Sequence, residues 1–532
     1  MSTRAPGPAS PRAPAPPPPR APAPPSSRAT RGISPAPAPA DRPAPARTFR
    51  VCAVSAEVTP FAKTGGLGDV AGALTAHLAA RGHDVRTFLP LYGRIDRERH
   101  GLVPVDFVQG VELPVGQETV RVSLWTGPLP DSGPSVYLVD CPDLFGGPEI
   151  YRGGDDDAVR YAVLGRAVLE SCQRMGFAPD LFHLHDWHAA YVALLARTVY
   201  RWDELFRGAR TVVTLHNVGF QGESGTHLLP ALGLAGHEGV LRGEDLAAGR
   251  VNPLAAAIVH ADRITTVSPT HAREIQTPEY GAGLDGLLRS RAGRLRGILN
   301  GIDARVWDPA ADPYTAAPFD AGDPSGKAAC RRDLLVRMNL PPDPGGPVLG
   351  AVSRLTWQKG FDLLAGPAPD LLAEHDVRLV VLGSGEPDHE ALLDGLQRRF
   401  PGRVSFYRGF SEELAHLIVA GSDVLLVPSR YEPCGLTQMY ALRYGTLPLV
   451  RATGGLADTV DPWQPGAGRG TGFAFEHFDA NGLAWALGRM LEAWADRDEW
   501  AAMVARAMTE DHSWERRVGE YEELFAEALE VG

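Results

Sequence analysis

The stretch Ala56–Val70 reads A-E-V-T-P-F-A-K-T-G-G-L-G-D-V and gathers residue types that can do chemistry. Gly65, Gly66 and Gly68 fall within four positions, with Lys63 just ahead and Asp69 just behind. Glycine lets a backbone approach a phosphate closely or take a positive φ. A glycine-rich turn between a strand and a helix aims backbone N–H groups at an anion. Lys63 adds a point charge suited to a pyrophosphate. A plain strand–helix turn with a surface lysine carries the same local signature, so other stretches must discriminate.

Two further cations, Arg354 and Lys359, are five apart in S-R-L-T-W-Q-K-G. Cations at a helix N-terminus oppose the helix dipole, so helix stability does not explain them. A bound diphosphate does; two solvated surface cations are the plainer account. E-P-C-G-L-T, Glu432 to Thr437, follows the apolar run Val424–Val427. Gly435 opens a predicted helix whose free N–H groups suit phosphate or ribose. Phosphates would repel Glu432, so its expected partner is a polyol; a helix-capping carboxylate is the alternative. Cys434 has no base partner and reads as a packed thiol.

His216 and Asn217 end a strongly apolar run in H-N-V-G. A core histidine is the ordinary explanation, but Asn217 and Gly219 suit an exposed loop. His185, Asp186 and His188 lie in H-D-W-H-A. H-x-x-H is half of a metal site; no third ligand run is visible, and no metal is expected. Asp155, Asp156 and Asp157 are read as a solvated, glycine-rich acidic loop.

Every one of these groups except the triple acid follows a predicted strand. Val51–Ala56 precedes the glycine turn, and Val70–Leu78 has a helical apolar period after it. Leu181–Leu184 precedes H-D-W-H-A, Thr211–Leu215 precedes H-N, and Val348–Val352 precedes S-R-L-T. Alternating β and α units predict parallel, doubly wound sheets. The expected fold class is α/β, with two Rossmann-like domains facing a cleft. Ligands of such sheets sit at the carboxyl ends of the strands.

The chain has 532 residues, enough for two or more domains, and 44% apolar content, enough for ordinary cores. Its net charge is -12. Six arginines and one aspartate in the first 46 residues leave −17 on the rest, which argues against nucleic acid as a partner. No run of about 18 apolar residues predicts a membrane span. The five cysteines are scattered, without C-x-x-C, and fit a reducing cytoplasm. Sixteen prolines in the first 46 residues predict a disordered tail without the apolar core of a secretory signal.

K-T-G-G-L-G-D-V, H-D-W-H-A, H-N, S-R-L-T-W-Q-K-G, P-S-R-Y-E-P-C-G-L-T-Q and T-G-G-L-A-D-T-V occur in this order. From Phe49 to the C-terminus the chain resembles the bacterial glycogen synthases and plant starch synthases. The resemblance implies the glycosyltransferase-B fold, a cytoplasmic enzyme and no cofactor. It also implies transfer of glucose from ADP-glucose to the non-reducing end of glycogen or another α-1,4-glucan, with retention. His216, Glu432, Arg354, Lys359 and Asp186 would be catalytic. Lys63, Gly66, Asp69, Asn217, Cys434, Gly435, Leu436 and Thr437 would bind substrate. The chain would divide into a tail (1–47), an acceptor-side domain (48–296), a sugar-nucleotide domain (297–508) and a C-terminal helix (509–532) crossing back.

Retention ordinarily points to a carboxylate nucleophile. None stands out, so a front-face displacement is expected, with the leaving phosphate helping to deprotonate the acceptor hydroxyl. A non-catalytic glucan-binding scaffold would be expected to have lost these side chains, yet all are present. Tyr440 occupies the position, eight after Glu432, where related retaining transferases often carry a second glutamate. The Gly- and Ala-rich region 223–250 reads as mobile and leaves acceptor length preference open.

Overall fold

The computed structural model describes residues 47–130 and 133–530, and the expected tail, Arg47 apart, lies outside the described residues. Two sheets organise the rest. The first has ten strands. Its parallel part runs in the spatial order Leu295–Gly297, Arg263–Thr266, Arg210–Leu215, Leu181–His185, Arg50–Val54, Asp84–Pro90 and Ser135–Asp140. Glu118–Pro128 adds antiparallel to Ser135–Asp140 and carries the short strands at that edge. The second sheet is wholly parallel: Val404–Arg408, Arg378–Gly383, Val348–Val352, Val424–Val427, Leu447–Arg451 and Phe473–Phe475.

The strand sequences explain this arrangement. Arg50–Val54 is buried after its first residue, and Val424–Val427 is buried throughout. Continuous apolar strands suit a parallel sheet covered by helices on both faces. In both sheets the chain reverses direction about the first strand. Arg50–Val54 pairs with Asp84–Pro90 on one side and Leu181–His185 on the other; Val348–Val352 likewise lies between Arg378–Gly383 and Val424–Val427. That is where open α/β sheets leave a crevice for ligands.

The last helix, Trp514–Glu530, covers the first sheet although it follows the second in sequence. Trp514, Val518, Tyr521, Leu524 and Phe525 are buried with Phe49, Val51, Leu74 and Val212. Gly301 admits this crossing, since a Cβ there would lie 2.6 Å from Trp514 N. Ile302 N donates to His512 O at 2.9 Å beside it.

One local expectation changes. The triple acid is not a loop: Asp155, Asp156 and Asp157 form the first turn of the helix Gly154–Arg174. Carboxylates there complement the helix dipole. Asp157 also accepts from Arg152 N at 2.9 Å and Gly153 N at 2.7 Å, satisfying donors the helix start leaves free. Residues 223–250 hold short helical turns, closed by the pairing of Ser224–Gly225 with Arg250–Val251.

Truncating Trp514, which is 1% exposed, tests the crossing. Trp514→Ala should cost about 3–5 kcal/mol of stability, the usual loss for a core tryptophan. Urea titration followed by circular dichroism would measure it, and a loss within error would mean the last helix is not part of the first core.

Candidate active site

The glycine turn is held from below by Glu57, only 2% exposed. Its Oε2 accepts from Thr64 N at 2.6 Å and Gly65 N at 3.3 Å. Its Oε1 accepts from Thr64 Oγ1 at 2.6 Å and from the Tyr151 hydroxyl at 2.5 Å. A buried carboxylate is tolerated only when so satisfied. Lys63 points the other way, half exposed, and pairs with Asp69 at 2.8 Å. Thr59 Oγ1 donates to the same Asp69 oxygen at 3.1 Å. The turn then enters the helix Gly66–Ala80, whose first amides are uncapped by any side chain.

Two neighbouring strands deliver the next group. Asp186 follows Leu181–His185 at once and takes φ 57, a left-handed conformation that aspartate tolerates better than most residues. This turn puts its carboxylate under the H-N loop, where Oδ1 accepts from His216 N at 2.7 Å. Burial pushes the Asp186 carboxyl up to about 7, partly offset by the His216 and Asn217 amides. His185 Nδ1 lies 2.9 Å from His216 Nε2. Burial brings His185 down to about 4 and holds His216 well below the usual imidazole range. His188 packs against Trp187 and edge-on against Tyr161.

The second sheet supplies the opposing wall. Lys359 Nζ lies 2.7 Å from Glu432 Oε2, which also accepts from Ser429 Oγ at 2.9 Å. Arg354 is exposed, and among the described residues no ion pair engages it. The cations occupy a loop and a single 3-10 turn, Trp357–Lys359, rather than a long helix start. Gly435 has φ 73, and the helix itself starts at Thr437, with Leu436 as its cap. Cys434 is buried with Val267, Leu299, Ile302 and Met439, and burial pushes its thiol up to about 12. A protonated, packed thiol is no nucleophile. Gly454 lets T-G-G-L-A-D-T-V close on this loop, because a Cβ there would strike the Glu432 carbonyl.

The two walls meet. A Cβ on Gly66 would be 3.7 Å from Leu436 Cδ1, so the glycine turn abuts the E-P-C-G-L loop. Ser268 Oγ donates to Pro433 O at 2.6 Å. Thr270 donates to Asp458 through N at 2.7 Å and Oγ1 at 2.6 Å. Glu274 accepts from Gly454 N at 3.0 Å and Thr453 Oγ1 at 2.9 Å. Burial raises the Tyr431 phenol, while a hydrogen bond with Asn217 across the cleft opposes that rise. These contacts bring the glycine turn, the H-N loop and the E-P-C-G-L loop together, with Cys434 packed behind them. Glu57, Tyr151 and Ser429 support these loops and were not singled out beforehand. Glu57 sat in plain view, three residues beyond a buried strand and seven before Thr64. Tyr440, in place of a second glutamate, stacks on Trp307 at 3.9 Å.

The comparisons follow this geometry. Residues 50–290 match the family model for the starch synthase catalytic domain, and residues 336–505 match that for glycosyl transferases group 1. A glycogen synthase of Anaeromyxobacter dehalogenans is 47% identical over 90% of this chain and 98% of its own length. The chain belongs to the glycogen and starch synthase family. Glycogen synthase 1 of Geobacter metallireducens is 41% identical over 91% of this chain and 97% of its own. The catalytic domain of starch synthase IV from Arabidopsis thaliana, solved bound to ADP and acarbose, superposes with a TM-score of 0.84. It is 34% identical and covers 91% of this chain and 100% of its own. The glycosyltransferase-B fold and glucosyltransferase class expected of this family therefore hold, with one family model on each sheet. No helix among the described residues is long and apolar enough to cross a membrane.

Asp186 gives this glycogen and starch synthase fold a pH signature. Its carboxyl ionises near 3.8 when unfolded and at about 7 when folded. Between those values the native state binds the extra proton, so this contribution to stability falls as pH rises from about 4 to about 7. Asp186→Asn should remove a swing of about 3 kcal/mol between pH 4.5 and 7.5 from the wild-type minus variant difference. Chemical denaturation at pH 4.5 and 7.5 would measure it; parallel curves would refute the assignment.

Proposed function

We infer that this protein is a cytoplasmic glycogen synthase that transfers glucose from ADP-glucose to the non-reducing end of an α-1,4-glucan, with retention. One observation carries the reading: the glycine turn of one sheet and the Lys359–Glu432 pair of the other reach a common cleft through the Gly66–Leu436 contact. The named relatives support the donor and acceptor: they are glycogen synthases, and the matched starch synthase holds ADP and acarbose.

In this reading residues 48–296 form the acceptor side, 297–508 hold the sugar nucleotide, and 509–532 return to the first sheet. As the glycosidic bond breaks, charge builds on the leaving diphosphate of ADP. Arg354 and Lys359 stabilise that charge in place, and Lys63 approaches it from the facing sheet. Glu432 takes hydrogen bonds from hexose hydroxyls, its repulsion from the phosphates offset by Lys359 at 2.7 Å. The amides of Gly66, Gly435, Leu436 and Thr437 address phosphate or sugar. His216 and Asn217 meet the transferred glucose from the acceptor side, and Asp186 and Asp69 hold the loops that present them and Lys63. The acceptor hydroxyl enters on the face the phosphate leaves, and its proton passes to the phosphate.

Mixing the protein with ADP-glucose and glycogen should release ADP and lengthen glucan chains. A strong preference for UDP-glucose would refute the donor assignment. Arg354→Ala and Lys359→Ala should each lower kcat on the order of 10²-fold or more, as loss of a transition-state charge contact does. Near-normal turnover in both would remove the diphosphate role.

A further inference from the structure

We propose that His185 is a positioning residue for glucosyl transfer: its hydrogen bond fixes the His216 ring in one orientation and one tautomer at the hexose site. The inference rests on the reading of His216 as a contact of the transferred glucose.

The bond is built into the sheet. His185 is the last residue of Leu181–His185, and His216 follows Arg210–Leu215. These strands are paired neighbours, with His185 opposite Thr214. The rings meet with Nδ1 of His185 2.9 Å from Nε2 of His216. His185 is 2% exposed, so water cannot substitute for its partner. Behind it the His183 ring packs at 4.3 Å and is tied to Thr214 Oγ1 at 2.7 Å. The other titratable groups facing this pair are Asp186, which takes the His216 amide, and beyond it His188 and Glu57.

Burial holds both rings neutral. Between two neutral imidazoles one nitrogen donates and the other accepts, so the contact carries one proton. Nε2 of His216 is committed to that contact. Only Nδ1 is left for a substrate hydroxyl, and the direction of the His185 bond decides whether it donates or accepts. Without His185 the ring can flip, and both tautomers become accessible. The binding of donor phosphates, which involves other loops, is not touched.

The test uses the full chain with ADP-glucose and glycogen. His185→Leu should lower kcat about 10- to 100-fold, the scale of loss seen when the outer partner of a metal-ligating histidine is removed, with KM for ADP-glucose little changed. His185→Asn, whose carboxamide can stand where Nδ1 stood, should recover most of that loss; His185→Gln, one methylene too long, should not. Thr214→Val disturbs the same buried cluster through His183 and should lower stability while leaving kcat unchanged. In ¹⁵N-histidine NMR, wild-type His216 should show one neutral tautomer across about pH 6 to 8. This measurement stands even if His185→Leu fails to fold. A folded His185→Leu with wild-type kcat, or averaged His216 tautomers in the wild type, would overturn the proposal. Loss of activity in His216→Ala alongside an unimpaired His185→Leu would remove only the role of His185. A fully active His216→Ala would instead remove the hexose contact itself.

Discussion

Everything in this molecule depends on two parallel sheets presenting their carboxyl ends to one another. Ser268 on Pro433 O, Thr270 on Asp458 and Glu274 on Gly454 lock the short helix Pro269–Glu274 of one sheet against the helix Gly454–Thr459 of the other. Each donor or acceptor here lies in the loop or short helix that follows a strand at its carboxyl end. The lock therefore does not merely join two bodies. It sets which loops face each other, and those are the loops that carry the lysines, the histidine and the carboxylates.

Within the cleft three buried carboxylates are handled in three ways. Glu57 is satisfied by four neutral donors and supports a turn. Glu432 is paired with a cation, Lys359, and a hydroxyl, Ser429. Asp186 takes backbone amides alone, and burial outweighs them, so its carboxyl rises to about 7. For Asp186, burial disfavours the charged form and the amides offset that only in part. The carboxylate with a cation partner stands at the cleft wall, while those with neutral partners lie behind the loops they hold.

Much of the site was legible in the sequence, because glycine motifs, apolar strands and their order are local signals. The strand before each motif, the doubly wound alternation and the cleft between two sheets all follow from patterns a few residues long. What was not legible is pairwise and long-range. Nothing near Lys359 announces that Glu432, 73 positions away, lies within 2.7 Å. Tyr151 reaches Glu57 across 94 positions, and Tyr431 meets Asn217 only once both sheets are built. The triple acid at Asp155 was misread as a loop because flanking glycines outweighed the preference of carboxylates for a helix start. Gly153 and Gly154 do take positive φ there, yet as the entry to the helix and not as its interruption.

The same geometry bears on how configuration is retained. A double displacement needs a carboxylate that can reach and attack the anomeric carbon. Glu432 directs Oε2 at both Lys359 and Ser429, and its neighbour Gly454 packs against its own carbonyl, so the side chain is clamped beside the cation. Asp186 is turned under the H-N loop, 7% exposed, with its carboxylate committed to the His216 and Asn217 amides. Both carboxylates are thus held in place by the groups they accept from, Glu432 through Oε2 alone. Positive charge, by contrast, is supplied from both walls, by Lys63 on one and Arg354 and Lys359 on the other. An active site built this way favours departure of an anion over attack by one. That asymmetry is what a same-face displacement, driven by a stabilised leaving diphosphate, requires.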